Sequence, residues 1–244
     1  MAKIFITGSS DGLGQLAARL LVSQGHQVVL HGRNEKRAKQ AIDNVQGAED
    51  VLIGDLSDTE ETKKLADDVN ALGVFDAILH NAGVYHSSHE TKFYVNTLAP
   101  YILTCLINKP KRLIYLSSGL HSGGNANDLE SIFEKRRTSY SDSKLHNLIL
   151  TLAVARKWPD VYANAVNPGW VPTKMGGRGA PDSLEKGYQT QVWLAVSKDD
   201  QANISGKYFY HHKQKDYLVM AGDTDVQEKF LSLCEQVSGI HFPI

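Results

Sequence analysis

The 244-residue sequence is poor in cysteine and proline, with two and seven respectively, and it has no long apolar run. Cys105 and Cys234 cannot build a disulfide framework and form no Cys-x-x-Cys pair, which points to a reducing, cytoplasmic setting. No stretch approaches the ~20 apolar residues that cross a bilayer. The N-terminus does not read as a signal peptide, because Lys3 directly precedes a short apolar run ending in Thr7-Gly8. Neither sign of charge is in excess: 26 Lys and Arg stand against 27 Asp and Glu. That balance excludes a strongly basic nucleic-acid surface and an acidic disordered tail. Repeats and low-complexity stretches are also missing. What remains is 42% hydrophobic residues, enough for one large core, so a single domain over 1–244 is expected.

Short β-branched runs alternate with segments of helical spacing. Strands are expected at 3–7, 27–30, 50–53, 76–80, 112–116, 161–166 and 206–210. Helices are expected at 13–24, 34–46, 57–72, 92–106, 138–156, 183–196 and 225–237, with Ser57 and Glu60 forming a capping box for the third. The strands are continuously apolar, as burial on both faces requires. The expected fold is therefore α/β: a Rossmann-type, doubly wound, seven-stranded parallel sheet with helices on both faces. The Gly- and Pro-rich stretch 170–182 follows a strand end and is the expected substrate loop.

Thr7-Gly8-Ser9-Ser10-Asp11-Gly12-Leu13-Gly14 joins the first strand to the first helix. Glycines there let the backbone turn tightly and approach a pyrophosphate at the helix N-terminus. Gly8, Ser10, Gly12, Leu13 and Gly14 are thus candidate dinucleotide contacts. The second strand ends in His31-Gly32-Arg33-Asn34, without the acid that would accept ribose hydroxyls. Gly32 leaves room, and Arg33 with Asn34 is placed to meet a 2′-phosphate, which favours NADP over NAD. Asp11 counts against that preference through repulsion.

Tyr140 and Lys144 are four residues apart on an expected helix and share a face. A free tyrosine has a pKa near 10. A fixed ammonium one turn away is expected to lower it and let Tyr140 exchange protons near neutral pH. Ser117-Ser118-Gly119 ends the fifth strand, where a hydroxyl faces the ligand crevice.

Taken in order, these segments resemble the single-domain branch of the short-chain dehydrogenase/reductases along nearly the whole chain. The motifs are Thr7-Gly8-x3-Gly12-x-Gly14, Asp55-Leu56, Asn81-Ala82-Gly83, Asn96, Ser117-Ser118, Tyr140-x3-Lys144 and Pro168-Gly169-x3-Thr173. The resemblance implies hydride exchange between NADP(H) and a carbonyl or alcohol. It implies that Tyr140 is the proton donor and acceptor, that Lys144 lowers its pKa and holds the nicotinamide ribose, and that Ser118, the second serine of its pair, orients the carbonyl. It further implies that Asn96 helps hold a relay water, that Asp55 and Leu56 contact the adenine side, and that Asn81, Ala82 and Gly83 pack on the adenosine. Pro168, Gly169 and Thr173 would border the nicotinamide. The stretch from Asn81 to Asn96 is short for the family, so the helix bearing Asn96 is expected to start late or lie differently. The insert Asn125–Arg137 resembles the retinol-dehydrogenase-like and WW-domain-oxidoreductase-like subgroup, which implies a lipophilic substrate.

Other features admit two readings. His80, His86 and His89 lack metal-ligand spacing and read, with His211-His212, as polar or loop residues. The Tyr140 helix is apolar nearly all round, so either another helix or a second subunit in a homodimer or homotetramer must cover it. Trp170, Val171 and Met175 are either a substrate wall or core. A non-catalytic NADP-sensing regulator is the competing function; a methyltransferase is disfavoured by Arg33 and the Tyr140–Lys144 pair.

Overall fold

A computed structural model describes residues 1–243. Eight strands form one sheet in the order β3-β2-β1-β4-β5-β6-β7-β8. They are β1 (Lys3–Ile6), β2 (Gln27–Gly32), β3 (Asp50–Ile53), β4 (Ala77–His80), β5 (Arg112–Leu116), β6 (Tyr162–Asn167), β7 (Lys207–Tyr210) and β8 (Lys213–Lys215). The first seven are parallel and β8 is antiparallel to β7. The eighth strand departs from the seven-stranded expectation. His211 and His212 both take positive φ, 48° and 64°, and close a two-residue hairpin turn. Nothing in a His-His pair announces that conformation.

Alternate residues of each parallel strand feed opposite layers, which is why the strands read as unbroken apolar runs. Ile4 and Ile6 join Val28, Leu30, Ala77 and Leu79 under α1 (Gly12–Ser23), α2 (Glu35–Asn44) and α8 (Leu184–Val196). Phe5, Val29, Ile78 and Tyr115 point the other way. They meet α3 (Thr59–Ala71), α5 (Ala99–Leu106), α7 (Tyr140–Lys157) and α9 (Thr224–Ser238).

Asp11, Asn34, Ser139 and Ser183 cap α1, α2, α7 and α8. The cap of α3 is Asp58, which accepts from the Glu60 and Glu61 amides, and not Ser57. Ser57 is occupied elsewhere: its amide and hydroxyl both donate to Asp55. The helix expected at 92–106 begins earlier, as α4 (His89–Lys92), and runs through a π-helical stretch, Phe93–Leu98, into α5. The insert folds as one short 3₁₀ turn, Ala126–Asp128, and α6 (Leu129–Lys135), which packs against α9 through Phe133 and Phe230. All residues of α7 from Ser143 to Val154 are buried within this one chain, with α9 lying against the helix. The cover that sequence left open is thus the C-terminal helix, and this face needs no second subunit.

Candidate active site

Strand order reverses between β1 and β4, and ligands bind such sheets in the crevice at that point, beyond the strands' carboxyl ends. A cleft of about 580 Å³ opens there. Its walls bring together Gly8, Ser10, Gly12, Leu13, Arg33, Asp55, Leu56, Asn81, Ala82, Gly83, Tyr140, Lys144, Pro168 and Thr173. Gly14, Asn34, Asn96, Ser118 and Gly169 are not on its surface.

The glycine turn is held by residues far away in sequence. Gly8 has φ +64°, and a Cβ there would sit 2.8 Å from the Ala82 Cα. A Cβ on Gly14 would lie 2.3 Å from the Asn81 Nδ2, which donates to the carbonyls of Thr7 and Gly8. Gly14 is therefore a packing glycine that lets Asn81 clamp the turn. His31, which sequence reading passed over, is fully buried beneath it. The Gly8 amide donates to its Nδ1 at 2.9 Å, and its Nε2 donates to the Gly54 carbonyl at 2.9 Å. Burial lowers its pKa and keeps the ring neutral.

Arg33 is exposed at the cleft, joined by Arg37 and Lys174, two cations sequence reading did not single out. Both face Asp11: Lys174 at 2.5 Å and Arg37 at 3.7 Å. Partial burial works against ionisation of Asp11, yet Lys174, the Gly12 amide and Arg37 together hold its carboxyl below the usual range. The repulsion expected from Asp11 is thereby compensated. Gly32 serves a different end from the one expected: its missing Cβ leaves space for the Ala38 backbone of α2, 2.5 Å away, and not for a phosphate. Asn34 spends its side-chain oxygen on the Arg37 amide as the α2 cap. Gly169, at φ +85°, turns the chain against Asp182, which accepts from the Trp170 amide and the Tyr210 hydroxyl.

At the other end of the cleft, Ser117 is buried and donates to the Lys144 carbonyl at 2.8 Å, which ties it to α7. Ser118 is the freer of the pair. Its Oγ accepts from the Leu120 amide at 3.2 Å and lies beside the Tyr140 phenol. Lys144 is buried, its Nζ 2.8 Å from the Leu116 carbonyl and 5.4 Å from the Tyr140 ring centre. Burial lowers its pKa to about 8. The Tyr140 phenol is pushed up to about 12, by burial first and by the neighbouring Tyr85, against the opposing pull of Ser118. This reverses the expected direction: desolvation of the phenolate outweighs an ammonium whose hydrogen bond goes to a carbonyl. Tyr85, also overlooked in the sequence, packs edge-on against Tyr140 with ring centres 4.7 Å apart.

Asn96 lies in the π-helical stretch. Its amide bonds both the amide and carbonyl of Val84 and reaches the Ser143 hydroxyl, fixing the segment after Gly83 to α7. Val171 is core and Met175 lines the cleft; Trp170 is exposed, its indole donating to the Gly176 carbonyl. His80 stacks on Tyr115, His86 packs on Tyr85 and His89 bonds the Thr138 carbonyl, so the three do not converge.

A family model described as short chain dehydrogenase matches residues 2–103. An uncharacterized oxidoreductase of Emericella nidulans is 44% identical over 100% of this chain and 99% of its own. The short-chain dehydrogenase chyC of Penicillium rubens is 42% identical over the full length of both. Among solved structures, a protein from Mycobacterium paratuberculosis matches with TM-score 0.83 at 24% identity, covering 100% of this chain and 96% of that one. A blue fluorescent protein from a metagenomic library, solved with NADPH, matches with TM-score 0.71 at 20% identity, covering 86% and 95%.

Proposed function

The chain belongs to the short-chain dehydrogenase family, and from that premise we propose that it is an NADP(H)-dependent oxidoreductase interconverting an apolar aldehyde or ketone and its alcohol. The observation that carries this reading is that Tyr140 and Lys144 line one end of a cleft, with Ser118 beside the Tyr140 phenol, and that the other end is a glycine turn at a helix N-terminus. The first-turn amides of α1 suit a pyrophosphate. Arg33 and Arg37 at the cleft wall suit a further phosphate. That NADPH accompanies a structure of the same fold is consistent with this choice.

The nicotinamide, when bound, supplies or accepts the hydride. Tyr140 is the proton donor to the carbonyl oxygen in reduction and the acceptor in oxidation. With its phenol held protonated, reduction starts with the proton already in place. The Ser118 Oγ accepts from the Leu120 amide, which leaves its proton free to aim at the same oxygen. Lys144, still mainly an ammonium at neutral pH, stabilises the phenolate as the proton leaves. Asn96 positions the Asn81–Gly83 wall through Val84 and orders the space beside Lys144. Val84, Val95, Leu116 and Met175 at the cleft favour an apolar substrate.

The test is NADPH oxidation against carbonyl compounds graded by size and polarity. Tyr140→Phe should lower kcat by about 10²–10⁴-fold while NADPH binding stays within a few-fold. A Phe variant with full activity would overturn the reading, as would a wild-type protein that binds NADPH and turns over no member of the panel.

A further inference from the structure

We propose that His121 is a positioning residue that aims Ser118 by holding its carbonyl, and that it ties this serine to the segment leading into α9. The inference rests on the role given to Ser118 above. His121 lies in the 3₁₀ turn Gly119–Gly123 directly after Ser118 and is buried, 4% exposed. Its Nδ1 is 2.7 Å from the Ser118 carbonyl, and its Nε2 is 3.2 Å from the Leu218 amide. A carbonyl only accepts and an amide only donates, so the partners fix the tautomer: Nδ1 carries the proton and Nε2 accepts. The His121 amide donates to the same carbonyl at 3.1 Å, so both acceptor positions of the Ser118 oxygen are filled by one residue. Tyr208 packs edge-on against the ring, with centres 4.8 Å apart, and stops it from swinging.

Ser118 is therefore gripped twice. Leu120 holds its Oγ, and His121 holds its peptide plane. The hydroxyl must reach the substrate oxygen within hydrogen-bond distance, so a tilt of that plane moves the working atom directly. The imidazole also makes the orientation depend on Leu218, far along the chain in a segment whose neighbours Tyr217 and Met220 pack against the core.

Three substitutions separate the two bonds. Asn at 121 keeps a donor near the Nδ1 position, Gln keeps an acceptor near Nε2, and Leu keeps neither. For H121L we expect kcat to fall about 10- to 100-fold with NADPH affinity unchanged within twofold. H121N should recover most of the rate and H121Q should not. In an S118A background, His121→Leu should cost less than a further twofold. Equal loss from H121L in both backgrounds would overturn the inference and leave the role of Ser118 standing. So would a wild-type rate for H121L, or recovery by Gln but not Asn. If S118A alone keeps full activity, the role of Ser118 falls and this inference falls with it. Should H121L not fold, the Asn–Gln order decides by itself.

Discussion

Enclosing a lysine in protein disfavours its charged form, and Lys144 is enclosed on all sides. Its folded pKa of about 8 lies below the ordinary 10.5, so the penalty is complete below pH 8 and fades as pH rises from 8 to 10.5. Across that window Lys144 should make the protein more stable by up to about 3 kcal/mol. Lys144→Met should abolish turnover, remove this rise, and leave stability at pH 7 equal or higher. The Leu116 carbonyl keeps a donor in the variant, because Asn147 also reaches it at 3.0 Å. Urea melts of both proteins at pH 7, 9 and 10 check this. The pair Tyr140–Lys144 was legible in the sequence because a four-residue spacing is a local fact. The directions of their pKa values were not, because burial is decided by what the fold lays over them.

Among the elements, the turn between β1 and α1 was recognisable from its glycines, but each glycine has a different reason. Gly14→Ala drives a methyl into Asn81 and the Gly8 carbonyl, 2.7 Å away. It should cost about 1–3 kcal/mol and weaken NADPH binding at least tenfold. Gly25, just past α1, has φ +79° and nothing within 4 Å of a Cβ. Its alanine variant should lose only about 1 kcal/mol and bind cofactor normally. Calorimetric Kd and thermal melts distinguish the two. His31 escaped the sequence reading because its partners, Gly8 and Gly54, lie far off on either side. The α3 cap slipped by one residue because Ser57 and Asp58 are both good caps, and only the Asp55 turn decides between them. The insert carried a motif but no helical period long enough to reveal α6.

On the scale of the whole molecule, seven of eight strands and both helical layers were legible, since a doubly wound sheet writes its order into the chain. Which element covers α7 was not, because an apolar face does not name its partner. The same burial governs acid stability. His31, His80 and His146 are enclosed and held neutral, their pKa values lowered by burial, to about 3 for His80 and about 4 for His146. Their unfolded forms take up protons once pH falls below 6.5, so stability should drop from there, with His80 and His146 together contributing up to about 3 kcal/mol per pH unit. His80 stacks on Tyr115 and has no hydrogen bond at Nδ1 among the described residues. His80→Phe should keep the stack and remove about 1.4 kcal/mol per pH unit from the acid slope, measured as urea midpoint against pH.

The hairpin at His211-His212 has a consequence beyond geometry. Without β8, the outer strand would be β7, whose Tyr208-Phe209-Tyr210 run would offer bare amides and carbonyls to any passing chain. Instead the rim is Lys213-Gln214-Lys215, three residues long and exposed throughout. A neighbour trying to extend the sheet would have to lay its backbone alongside two ammonium groups that share one face. Replacing both lysines with valine should therefore turn a dispersed solution into one that scatters light and forms filaments on standing. If it stays clear, that short cationic rim is not what keeps the molecules apart.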